Sequence, residues 1–214
     1  MHLEIFSDTI CPWCYIGKRR LERALRDRPM PGLAIRWRAF QLNPGMPNGG
    51  MDRQQYMAAK FGSVERAARL YDTVTRVGAD EGIPFVFERI RRTPNTMRSH
   101  RLLALAGQHG MQSRLLDLLY AAYFTEGRDI GLGDVLLEIG LGAGLPRAEI
   151  ESALSEDSPI GTTLAEDFLA RRQGINGVPY FVFNGRFGLS GAQEPEALYH
   201  MFDLAREDDA LVRV

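Results

Sequence analysis

Leu3-Glu4-Ile5-Phe6-Ser7-Asp8-Thr9-Ile10-Cys11-Pro12-Trp13-Cys14 carries an alternating apolar segment directly into a pair of cysteines two residues apart. Leu3 to Phe6 has the period of a short strand, and Ser7 to Ile10 reads as a loop. From Cys11 to about Arg28 the pattern turns helical, with Ile16, Leu21, Ala24 and Leu25 recurring among charges until Pro29 and Pro31-Gly32 end it. Ala34-Ile35-Arg36-Trp37-Arg38-Ala39-Phe40 alternates again and predicts a second strand. The opening is therefore a βαβ unit with the C-x-x-C at its first strand-to-helix junction.

Cys11 and Cys14 are the only cysteines among 214 residues. Residues i and i+3 on a helix stand roughly 5–6 Å apart at Cβ. A disulfide requires Cα atoms about 4.4–6.8 Å apart, so the pair can close without moving the backbone. A cysteine at a helix N-terminus faces free N–H groups and the positive dipole end, which commonly lowers its pKa to roughly 3.5–7.5. Pro12 suits one of the first helical positions, where its missing N–H is not needed. These rules make Cys11 the expected nucleophile and Cys14, one turn inside, the expected resolving thiol. Trp13 is expected to present an aromatic surface to apolar substrate groups. Two other readings stay open, half of a zinc site and a pair of inert buried thiols. Zinc requires four ligands, and His2, His100, His109 and His200 are scattered without ligand spacing. A metal would then have to bridge two chains, so no metal is expected.

Composition narrows the function classes. A formal net charge of -1 gives no global attraction to nucleic acid or anionic membrane, and no apolar run approaches the ~20 residues of a spanning helix. Met1 to Asp8 lack the basic and apolar regions of a signal peptide, so a cytoplasmic protein is expected. In that compartment a C-x-x-C is more often catalytic or metal-binding than structural. Lys18, Arg19, Arg20, Arg23, Arg26 and Arg28, interspersed with Glu22 and Asp27, read as a solvated helix face, with Lys18 and Arg19 adding positive potential near the thiolate. Asp8 reads first as a helix cap, with tuning of the cysteine pKa as the alternative, Asn95 as another cap, with a substrate contact as the alternative, and His100 as a satisfied packing histidine rather than an acid or base. Met46, Met51 and Met57 read as gap fillers, with a substrate groove as the alternative.

From Asn43 to about Ser158 the pattern is almost entirely helical, broken by glycines and prolines, and one more helix is expected from Thr162 to Arg172. Tyr180-Phe181-Val182-Phe183, the turn Asn184-Gly185, and Arg186-Phe187-Gly188-Leu189 predict a hairpin, followed by a helix from about Glu194 to Arg206. Pro179 precedes the first of these strands and reads as a strand-initiating proline. The chain thus reads βαβ, a helical block, then ββα.

Taken together, these residues resemble the DsbA-like branch of the thioredoxin superfamily. The likeness is nearest to the FrnE-like cytoplasmic oxidoreductases, relatives of 2-hydroxychromene-2-carboxylate isomerases and kappa-class glutathione transferases. It runs through Phe6-Ser7-Asp8, Cys11 to Gly17, Trp37 to Leu42, Pro94-Asn95-Thr96, Ala122 to Ile130, Gly177 to Phe183 and Ser190 to Gln193. The resemblance implies an α/β thioredoxin fold from residues 1–42 and 159–214, interrupted by an all-helical insertion at 43–158. It implies that Val178-Pro179 is a cis-proline loop against the cysteine pair, offering the Val178 backbone to an extended substrate by strand addition. Pro12, Trp13, Val178 and Pro179 are then the expected substrate-binding residues. The implied activity is thiol–disulfide exchange with protein or small-molecule thiols and disulfides, with no dissociable cofactor, no nucleic acid and no membrane. The isomerase relatives usually carry serine at the first cysteine position and use bound glutathione. A glutathione-dependent isomerase or transferase is therefore the alternative, with glutathione as co-substrate.

Overall fold

The computed structural model describes residues 1–155 and 161–212. Its first elements are β1 (His2–Ser7), α1 (Pro12–Asp27) and β2 (Ala34–Ala39). There follow β3 (Met51–Asp52), α2 (Arg53–Phe61), α3 (Val64–Asp80), β4 (Arg92–Thr93), α4 (Met97–Gln108) and α5 (Gln112–Tyr120). After a π-helical turn at Ala121–Thr125 come α6 (Gly133–Ala143), α7 (Arg147–Leu154) and α8 (Gly161–Arg172). The chain closes with β5 (Tyr180–Phe183), β6 (Phe187–Ser190) and α9 (Pro195–Val212). The expected end of the helical block near Ser158 lies outside the described residues.

The order β2-β1-β5-β6, with β2 parallel and β5 antiparallel to the central β1, is that of a thioredoxin fold. Alternation of side chains along a strand sends neighbours to opposite faces. Leu3, Ile5, Phe181 and Phe183 therefore enter the main core, while Phe6 joins Phe40, Ala170 and Ile175 in a smaller core between the sheet and α8. The expected hairpin forms at Asn184 and Gly185, which both take positive φ (51° and 69°). Glycine takes such angles freely and asparagine tolerates them.

Among the described residues between β2 and α8, the regular structure is helical apart from the two-residue pairing of β3 with β4. Asp52 ends that pairing and starts α2, its carboxylate accepting the N–H groups of Gln54 and Gln55. Local hydrogen bonding thus converts part of the expected helical text into a short strand and cap.

The basic face of α1 differs from the sequence expectation. Lys18 is 1% exposed, its Nζ 2.7 Å from Asp117 Oδ1 and also bound to Glu22. Arg20 is buried too, bonded to Glu81 at 2.9 Å and Glu194 at 2.5 Å. Of the six basic residues Arg26 is exposed, and Arg19, Arg23 and Arg28 are half-buried. Charges leave water only where partners meet them, and here the partners come from α5, the end of α3 and the start of α9. This face of α1 is a junction holding the helical block against the sheet layer.

Candidate active site

Cys11 is the N-cap of α1, in extended conformation (φ -93°, ψ 112°), with Pro12 in the first turn. Its N–H donates to the Asp8 carbonyl at 3.1 Å, and its own carbonyl accepts from the N–H groups of Cys14 (3.0 Å) and Tyr15 (3.3 Å). No side chain caps this helix, so none competes with the Cys11 sulfur for the N–H groups of the first turn. Cys14 lies one turn in and is fully buried, and both cysteines are free thiols. Burial pushes the Cys14 thiol well above its ordinary value. The hydrogen bond and charge of Cys11 push the same way, the Asp8 backbone opposes them, and the Asp8 carboxylate adds a further upward push.

The partner loop arrives from the far end of the chain. Val178-Pro179 is a cis peptide, and the Cys11 thiol donates to the Val178 carbonyl at 3.5 Å. The Pro179 ring packs over Gly17, where a Cβ would sit 3.0 Å from Pro179 Cγ. Cys11, Pro12, Cys14, Val178 and Pro179 are thereby brought together. Trp13 follows at the surface, 37% exposed.

Beneath the dithiol, Tyr15 stacks on Tyr120 at a centroid distance of 5.0 Å. Tyr120 comes from the end of α5, and the π-turn after it adds Phe124, 6.3 Å from Tyr15. Burial, followed by the charges of Cys14 and Cys11, raises the Tyr120 phenol well above its ordinary value.

Two expectations for polar residues are corrected. Asp8 does not cap α1, because the Ser7–Ile10 loop turns its carboxylate toward the chain leaving β2, where Oδ2 accepts the Leu42 N–H at 2.7 Å. Its Oδ1 lies 3.4 Å from Nε2 of His100, and both side chains are fully buried. His100 is buried, as expected, but it is not a satisfied packing histidine: among the described residues neither ring nitrogen makes a hydrogen bond, and Nε2 faces the Asp8 carboxylate. Asn95 does cap, accepting the Met97 N–H at 2.9 Å while its amide donates to the Met46 carbonyl at 2.7 Å.

A cavity of about 600 Å³ lies in the helical block, lined by Met57, Tyr71, Phe85, Phe87, Ile90 and Arg53. Burial raises the Tyr71 phenol, against the opposing charge and hydrogen bond of Arg53. Arg53 donates to Tyr71 at 2.8 Å and to Thr93 at 3.0 Å. Sequence reasoning singled out Met57 but neither Tyr71 nor Arg53. Both sit in ordinary amphipathic helices with no motif to mark them. Among the described residues no three His, Cys, Asp or Glu side chains converge to hold a metal ion, and no helix is long and apolar enough to cross a membrane.

The model of the DsbA-like thioredoxin domain matches residues 2–203. The chain belongs to this family. A probable DsbA oxidoreductase from Streptomyces coelicolor is 34% identical, with a TM-score of 0.88 over 97% of this chain and 90% of that one. A 2-hydroxychromene-2-carboxylate isomerase, 20% identical with a TM-score of 0.72 over 99% of both chains, shares the fold. So does the cytosolic disulfide reductase DsbM of Pseudomonas aeruginosa, solved with glutathione, at 24% identity and a TM-score of 0.63 over the full length of both. The fold of this DsbA-like chain is thus one that oxidoreductases and an isomerase use.

Proposed function

We propose that the chain is a dithiol–disulfide oxidoreductase in which Cys11 attacks and Cys14 resolves. The observation that carries this reading is the asymmetry of the pair. Cys11, itself buried at 3% exposure, stands at the uncapped N-terminus of α1 against the Val178 carbonyl, whereas Cys14 lies one turn inside with no exposure at all.

In the reducing direction the Cys11 thiolate attacks one sulfur of a substrate disulfide. That S–S bond breaks, and the leaving thiolate takes a proton from water. The Cys14 thiolate then attacks the Cys11 sulfur of the mixed disulfide, releasing the second substrate thiolate. Two electrons pass from the protein dithiol to the substrate, and the protein ends as a Cys11–Cys14 disulfide. The reverse sequence oxidises a substrate dithiol. Trp13, Pro12 and the Val178-Pro179 loop form the substrate-facing rim. The substrates are protein or small-molecule disulfides, glutathione disulfide among them, and the compartment is the cytoplasm.

The test is reduction of a model disulfide by the dithiol protein, with Cys11→Ser as the control. Activity is expected to vanish in that variant, and full activity would overturn the assignment. Turnover that requires glutathione and survives Cys14→Ser would instead support the isomerase or transferase chemistry of the shared fold.

A further inference from the structure

Arg53, the first residue of α2, is a buried cation with which no carboxylate pairs among the described residues. It is 7% exposed, and its two Nη atoms donate to neutral hydroxyls, Nη1 to Thr93 at 3.0 Å and Nη2 to Tyr71 at 2.8 Å. Its Nε is buried and makes no hydrogen bond. The guanidinium lies over the rings of Tyr56 and Tyr71, 5.5 and 5.1 Å from their centroids, and the Arg53 backbone N–H donates to the Arg91 carbonyl at 2.9 Å. The charge is therefore fixed in place before any ligand arrives. Hydroxyls and ring faces compensate a buried cation without neutralising it, and an unpaired buried charge is costly.

Arg53 also lines the cavity of about 600 Å³ in the helical block, a volume typical of small-molecule sites. Tyr71, on the same wall, accepts from Arg53, and its own O–H meets no acceptor among the described residues. Burial raises this phenol, so it stays protonated and able to donate at neutral pH. Guanidinium and phenol thus offer donors to one acceptor group. The aromatic faces nearby are engaged with one another. Phe87 packs against both Tyr71, at 4.4 Å, and Phe85, at 4.9 Å, and Tyr71 also carries the guanidinium. Ring edges and the aliphatic Met57, Val64, Ala68 and Ile90 are left to meet a ligand. Asp52, Asp72 and Glu88 share the wall with Arg91, all four exposed, and Asp52 already accepts from Gln54 and Gln55. These carboxylates repel a group carrying more than one negative charge.

We propose that this cavity binds a monocarboxylate on an unbranched alkyl chain, its carboxylate accepting from Arg53 and Tyr71 and its chain lying along Met57, Val64, Ala68 and Ile90. No bond is made or broken there, and the site does not depend on the roles of the two cysteines.

Isothermal titration calorimetry of the full chain at neutral pH tests this with octanoate, using octanol as the uncharged chain and naphthoate as the planar carboxylate. Octanoate is expected to bind saturably at one site, about tenfold tighter than octanol or more, and tighter than naphthoate. Arg53→Gln is expected to weaken octanoate by about tenfold or more, through loss of a charge-assisted hydrogen bond, and to leave octanol unchanged. Ala68→Trp fills the cavity from an exposed position on α3 with Arg53 intact, and is expected to abolish octanoate binding. Circular dichroism verifies that each variant keeps its helices. Absence of saturable octanoate binding, equal affinity for octanoate and octanol, or tighter binding of naphthoate would overturn the proposal. So would octanoate affinity unchanged in Arg53→Gln or Ala68→Trp, and a lower Tm of Arg53→Gln beside that result would make Arg53 purely structural. Should Arg53→Gln fail to fold, the octanoate-to-octanol ratio and Ala68→Trp decide without it.

Discussion

Replacing Gly17 with alanine sets two effects of known sign against each other at the contact that joins the dithiol helix to its partner loop. A glycine inside a helix is less favourable than alanine by roughly 1 kcal/mol, so propensity alone makes the substitution stabilising. The new Cβ, however, lies 3.0 Å from Pro179 Cγ and 3.5 Å from both Ala192 Cβ and Phe181 Cζ. Pro179 has little room to yield, since its carbonyl accepts the Gly191 N–H at 2.8 Å and the next residue enters the β5–β1 ladder. Overpacking of this kind costs about 1–3 kcal/mol. With a middle value of about 2 kcal/mol, the net is a destabilisation of about 1 kcal/mol. For a chain of this size that lowers Tm by about 2–4 °C. The loop must shift by a few tenths of an ångström, so the Cys11 to Val178 contact and the rate of model-disulfide reduction are expected to fall as well. Thermal unfolding and the disulfide assay, run on the same preparation, read both effects. A stabilisation of about 1 kcal/mol with an unchanged rate would refute the reasoning, because it would mean the loop is not held against α1.

Two further outcomes are expected. Lys18→Met removes a charge that is 1% exposed, while its partners Glu22 and Asp117 are 29% and 36% exposed and can rehydrate. Its stability in urea should therefore equal or exceed that of the parent, whereas Asp117→Ala, which strips a partner from the buried ammonium, should be the less stable of the two. The second outcome concerns alkaline pH. The Cys14 thiol titrates in the folded dithiol protein well above its ordinary value of 9.0. Its contribution to stability is complete below that value and is lost as pH rises toward the folded pKa. Denaturant midpoints measured upward from about pH 9 should fall more steeply for the parent than for Cys14→Ala.

The local text carried much of the fold. Alternation in Leu3–Phe6 and Ala34–Phe40, the turn residues Asn184-Gly185 and the helical period between them are short-range signals, and the strands of the main sheet and α1 formed close to their expected bounds, whereas α9 runs to Val212, past the expected end near Arg206. The cysteine pair was equally legible, because a strand-to-helix junction fixes its geometry within one turn. What stayed hidden depends on partners distant in sequence. Lys18 is buried because Asp117 meets it, and Arg20 because Glu81 and Glu194 do. Asp8 looked like a cap until the chain after β2 supplied the Leu42 N–H and α4 supplied His100. Tyr71 and Arg53 carried no motif, and their hydrogen bond to each other forms only once α2 and α3 pack together. The cis state of Pro179 followed from family resemblance rather than from the residues themselves.

The division of labour between the two sulfurs is the central claim, and one trapping measurement tests it directly. Cys14→Ser and Cys11→Ser proteins are each incubated with a disulfide-bonded model peptide, and the adducts are mapped by mass spectrometry. The account predicts a mixed disulfide that accumulates on Cys11 in the Cys14→Ser protein and little or none on Cys14 in the Cys11→Ser protein. Equal trapping on both sulfurs, or preferential trapping on Cys14, would contradict it.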